Sequence, residues 1–87
     1  MSERYSVQIP RKVEKVIASL QRTEQRRIQG AIDLLADNPR PPSCTAMVGY
    51  SDTYRVRVGT YRILYEVRDR ELVVIVVQVG HRREVYR

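Results

Sequence analysis

Between Tyr54 and Tyr65 apolar and polar side chains alternate on either side of Gly59-Thr60, a pattern that commits the segment to a β-hairpin. Glycine at the first central position is what a two-residue type II′ turn requires. That turn fixes the register: Arg57 lies opposite Arg62, Val56 opposite Ile63, and Arg55 opposite Leu64. Side chains alternate across a strand, so Arg55, Arg57 and Arg62 share one face while Tyr54, Val56, Ile63 and Tyr65 share the other. Like charges directly opposite in a sheet repel by a few tenths of a kcal/mol or more. A chain that accepts such crowding is built to meet an anion there, and phosphate is the natural candidate.

The flanking segments decide what the hairpin packs against. Tyr5, Val7 and Ile9 alternate with Ser6 and Gln8, which predicts a short first strand, and Pro10 suits the start of a helix. Val13, Val16, Ile17 and Leu20 form one apolar helical stripe, and the spacing returns at Ile28, Ala31, Ile32 and Leu35. A turn near Gln21 to Thr23 joins the two into a helical hairpin, and Asn38-Pro39 ends the second helix. Asn38 to Ser51 then reads as a long connection, docked onto the core through Met47 and Val48. Strands are expected near Tyr54–Val58 and Tyr61–Arg68, with a turn at Asp69-Arg70. Leu72 to Val79 is almost continuously apolar, which predicts a strand inside the sheet and covered on both faces. The expected order is β-α-α-β-β-β, an α+β fold with the helical hairpin packed on a small, mostly antiparallel four-stranded sheet.

Eighty-seven residues make a single domain, 1–87, with room for one modest core. No apolar stretch long enough to span a bilayer is present, and Met1-Ser2-Glu3-Arg4 has no hydrophobic signal region, so a soluble, cytoplasmic protein is expected. The lone cysteine, Cys44, has no intrachain partner, in keeping with a reducing compartment, and reads as an ordinary loop residue. The net charge is +6, and 14 of the 16 basic residues are arginine. Arginine forks onto phosphate bidentately and stays charged when half-buried, so an acidic partner is implied: nucleic acid, an acidic protein segment, or both. A solvated basic surface accounts for the charge equally well; charge sets the class of partner, not the act performed on it.

If the last three strands form a meander, the end of the final strand lies level with the Gly59-Thr60 turn, and His81, Arg82 and Tyr86 come near Arg57 and Arg62. An arginine-rich hollow with an aromatic ring is what single-stranded RNA binding uses, guanidinium groups holding phosphate while a ring stacks a base. Tyr54, Tyr61 and Tyr65 read as core or rim aromatics rather than base-stackers, whereas Tyr86 is open to either role. His81 taken alone is an ordinary surface histidine before it is a catalyst.

Asn38-Pro39-Arg40, Gly49, the run Tyr54 to Tyr65, and Val79-Gly80-His81-Arg82-Arg83-Glu84-Val85-Tyr86 together resemble the RelE toxins of the RelE/ParE superfamily. The resemblance covers nearly the whole length and implies a toxin of a type II toxin–antitoxin system. Such a toxin enters the 30S A site of the ribosome and cleaves mRNA by attack of a ribose 2′-OH on the adjacent phosphate, with no metal and no cofactor. By the same resemblance Arg62 contacts the scissile phosphate, Arg82 stabilises the developing charge, and Tyr86 stacks on and orients the base. Arg55 and Arg57 match two basic positions usually held by lysine, one of which serves as general base; Arg83 is a further RNA-binding residue beside Arg82 and shares with it the claim to the catalytic position.

Arginine is a poor base. Three routes follow: His81 takes the proton, the arginines act by electrostatics while ribosomal RNA or water handles it, or the activity is weak. The partners implied are a cognate antitoxin, the ribosome with its mRNA, and DNA only through the antitoxin complex; no membrane is implied. Two other readings stand beside this one: a ParE-like toxin that binds DNA gyrase without cutting RNA, and an inactive homologue.

Overall fold

Apolar spacing sets both helices of the computed structural model, which describes residues 4–81. Helix α1 (Arg11–Ala18) starts after Pro10, whose ring fixes φ at −58°. It buries Val13 and Ile17 and leaves Val16 at the rim. Helix α2 (Arg22–Asp37) buries Ile28, Ile32, Leu35 and Ala36. The tight link between them is closed by Gln25, whose Nε2 donates to the carbonyls of Leu20 at 2.7 Å and Ala18 at 3.1 Å, two of the acceptors that the end of α1 leaves over. Asn38 leaves the helix in an extended conformation, as a residue before proline must.

Strands β1 (Ser6–Gln8), β2 (Cys44–Ala46), β3 (Thr53–Val58), β4 (Tyr61–Arg68) and β5 (Val73–His81) form one sheet in the order β1-β5-β4-β3-β2. The α+β class and the mostly antiparallel sheet are as the sequence predicts, with one strand more. Inside the expected connection Asn38 to Ser51, Cys44–Ala46 pairs antiparallel with Val56–Tyr54. Three residues after two prolines carry too little alternation to mark a strand; the partner β3 supplies the pairing. The hairpin register is as read, with Val58 opposite Tyr61 and Arg57 opposite Arg62. Gly59 has φ +60° and Thr60 does not share the positive sign, the combination of a type II′ turn.

Strand β5 lies inside the sheet, parallel to β1 and antiparallel to β4. Its helix-facing side chains Val74, Val76 and Val79 are buried, but Val73 and Ile75 on the other face are only half covered and Val77 is exposed, so the expectation of full cover holds on one side. The register shifts once: Leu64 pairs with Gln78 and Tyr65 with Val76, leaving Val77 as the extra residue of a β-bulge. One extra residue reverses which face every later side chain takes. Gly80 therefore lies on the outer face opposite Arg62, and His81 on the helix face opposite Tyr61.

The core of Val13, Ile28, Ile32, Leu35, Ile63, Tyr65, Val67, Val74 and Val76 sits between the two helices and one face of the sheet. The hydroxyl of fully buried Tyr65 donates to the carbonyl of Pro39 at 2.8 Å, which fastens the exit of α2 to the middle of β4. Burial of the ring pushes the phenol pKa up, so the group stays a donor at any ordinary pH.

Candidate anion site on the outer face of the sheet

The face turned away from the helices carries the arginines. Strands β3 and β4 place Arg57 beside Arg62, and β2 places Thr45 beside Arg55. Ser43, Thr45, Arg55, Arg57 and Arg62 line a cleft of about 310 Å³. Among the described residues its lining includes three guanidiniums, two hydroxyls and no carboxylate, so every described charged group there favours an anion. Arg55 and Arg62 are half-buried and Arg57 is exposed; half-burial strengthens a charge without removing it from a ligand's reach.

A larger hollow of about 520 Å³ lies at the opposite end of the hairpin, lined by Asp52, Glu66, Asp69 and Glu71 with Arg68 and Arg70. Its carboxylates unfit it for phosphate. The outer face is therefore graded from basic at the Gly59-Thr60 turn to acidic at the Asp69-Arg70 turn.

Beside that acidic end sits a polar knot that sequence reasoning missed. Arg40 forks onto Asp69, Nη1 to Oδ1 at 3.0 Å and Nη2 to Oδ2 at 2.8 Å, while its Nε donates to the Tyr54 hydroxyl at 2.9 Å. Tyr5 donates to the same carboxylate at 2.7 Å. These bonds, Arg40 first, hold the Asp69 carboxyl down to about 2, and the bond to Asp69 pushes the Tyr5 phenol up. The knot joins β1, the exit of α2, β3 and the β4–β5 turn. It fixes the start of the segment that carries Ser43 and Thr45.

The structure brings Arg55, Arg57 and Arg62 together, as the hairpin register requires. It does not bring His81 to them. The backbone at the end of β5 is level with the turn, as expected, but the bulge at Val77 turns the imidazole to the helix face, edge-on to Tyr61 with ring centroids 5.9 Å apart. Tyr54 and Tyr65 stack at 5.9 Å in and beside the core, and Tyr61 packs against it, so all three are core or rim aromatics. Arg82, Arg83 and Tyr86 lie outside the described residues. Ser43 and Thr45 enter the site only through β2, which the sequence pattern did not reveal. Arg27 of α2 reaches the turn, its Nη1 3.3 Å from where a Cβ on Gly59 would sit.

A helical hairpin over one face of a five-stranded sheet is the architecture of the RelE-like class of small α+β toxins. The structure of the archaeal RelE-RelB complex from Pyrococcus horikoshii OT3 superposes with a TM-score of 0.80 and 29% identity, over 94% of this chain and 99% of that one. The chain belongs to the ParE toxin family of type II toxin–antitoxin systems (parDE), whose sequence profile matches residues 4–86. A putative RelE-like toxin protein of Escherichia coli is 31% identical over 81 residues, 91% of this chain and 84% of the relative. Putative toxin RelE1 of Methanocaldococcus jannaschii is 25% identical over 87 residues, 97% of each chain. The fold and class inferred from the hairpin and tail motifs are those the relatives share.

Proposed function

We propose that this RelE-like toxin is a ribosome-dependent mRNA endoribonuclease that works without a metal. The observation that carries the reading is the cleft of Arg55, Arg57 and Arg62, three positive groups gathered on one face of the sheet. Phosphate chemistry of this kind gains most from preorganised donors aimed at the charge that develops in the transition state.

In the reaction the ribose 2′-oxygen attacks the adjacent phosphorus, the bond to the 5′-oxygen breaks, and a 2′,3′-cyclic phosphate remains. One proton leaves the 2′-hydroxyl and one reaches the departing 5′-oxygen. Arg57 and Arg62, paired across β3 and β4, hold the phosphate and lower the pKa of the attacking hydroxyl. Arg82 or Arg83 meets the charge that builds on the phosphoryl oxygens, and Tyr86 stacks on the base; these roles come from the resemblance to RelE toxins. With His81 on the far face, ribosomal RNA or water accepts the proton and the arginines act by electrostatics. A cognate antitoxin with an acidic or amphipathic segment neutralises the toxin in the cytoplasm, a reading supported by the RelE-RelB complex of the archaeal neighbour. DNA is met only through that complex.

The test is purified toxin added to ribosomes stalled on a defined message, with the cuts mapped by primer extension. Cuts inside A-site codons, absent with Arg62→Ala and absent on free RNA, are expected. Intact message on toxin-loaded ribosomes would overturn the reading. Loss of gyrase supercoiling activity in the presence of the toxin would replace it with the ParE-like one, which the name of the matching family keeps in view.

A further inference from the structure

The cleft is longer than the Arg57–Arg62 pair needs. The outer face is laid out in two rows across the strands. Thr45, Arg55, Leu64 and Gln78 form one row by direct pairing. Arg57, Arg62 and Gly80 form the next, with Ser43, one residue before Cys44, at its β2 end. Two residues along a strand separate the rows, about 6.6–6.8 Å. That is comparable to the step between successive phosphates of an extended single strand.

The rows also differ chemically. One carries two facing guanidiniums, the arrangement for a phosphate that gains charge during reaction. In the other, Arg55 stands between the Thr45 hydroxyl and apolar Leu64, one charge and one neutral donor, enough for a phosphate that is only held.

We propose that β2 completes a second phosphate subsite, in which Arg55 with the Thr45 hydroxyl holds the phosphate next to the one between Arg57 and Arg62. This rests on the RNA reading of the cleft and deepens it: the ligand is single-stranded RNA gripped at two successive phosphates, leaving across the β2 edge. Thr45 is a binding residue here, with no part in the chemistry.

The experiment is an NMR titration of the full chain at fixed salt with ApA, which has one phosphate, and ApApA, which has two. Wild type is expected to bind ApApA on the order of tenfold more tightly, about what one hydrogen bond to a charged group provides. Arg55→Ala and Thr45→Val should each erase that advantage, so that either variant binds ApApA no more tightly than it binds ApA. Thr45→Ser, which keeps the hydroxyl, should retain it. Arg62→Ala should weaken both ligands.

If Arg62→Ala weakens both but the advantage survives in Thr45→Val or in Arg55→Ala, the second subsite is wrong and the RNA reading stands. If wild type shows no preference for ApApA, the subsite is likewise wrong. If Arg62→Ala changes neither ligand, the RNA reading of the cleft falls with it.

Discussion

Arg57 and Arg62 face each other across β3 and β4, and under the proposed function the bound phosphate offsets their repulsion. Arg57→Ala should therefore leave the unfolding free energy from urea titration unchanged or raise it by a few tenths of a kcal/mol, while it lowers mRNA cleavage on ribosomes. A loss of stability with unchanged cleavage would show that the pair is structural. Gly59 is fixed by its φ of +60°, so Gly59→Ala should cost about 1–2 kcal/mol in the same measurement. The nearby Arg27 guanidinium adds little, being the end of a flexible side chain.

Most of the hairpin was legible at this scale, because glycine at the turn and strict alternation leave one register open. His81 was not. Its face depends on an extra residue at Val77, and in the run Val73 to Val79 every neighbour is apolar except Gln78, so nothing in the pattern marks where the bulge falls.

Among the elements, the helices and β3 to β5 declare themselves through their own periodicity, whereas β2 exists because β3 is there to pair with it. The Arg40–Asp69 knot is similarly non-local: its members come from four segments, and no spacing in the sequence links them. Its contribution depends on pH. The folded Asp69 carboxyl titrates at about 2, below its ordinary 3.8, so its stabilisation is present above the unfolded value and fades as pH falls from about 4 to about 2. The thermal midpoint of wild type should fall more steeply over that window than that of Asp69→Asn; parallel curves would show that the knot contributes nothing. Half-exposure of both side chains keeps the effect modest. Tyr65→Phe removes the donor to the buried Pro39 carbonyl and should cost about 1–3 kcal/mol by denaturant unfolding, with the sheet intact by circular dichroism.

Across the whole molecule the charge of +6 is distributed unevenly, the arginine cleft at one end of the outer face and Asp52, Glu66, Asp69 and Glu71 at the other. Such a gradient orients an incoming polyanion before contact and makes binding sensitive to salt. For a single strand held at two phosphates, the logarithm of the ApApA association constant should fall against the logarithm of salt with a slope of about −1.4, and Arg55→Ala should reduce that slope by about 0.7. A slope unchanged in Arg55→Ala would place the second phosphate elsewhere.

The position of β5 between β1 and β4 has a temporal consequence. Of the five described strands it is the last to leave the exit tunnel during synthesis, yet both β1 and the apolar stripe of α1 need it as their platform. A nascent chain therefore carries the arginines of its hairpin out of the ribosome before the sheet can hold them in place, and closure of the sheet waits for the synthesis of β5.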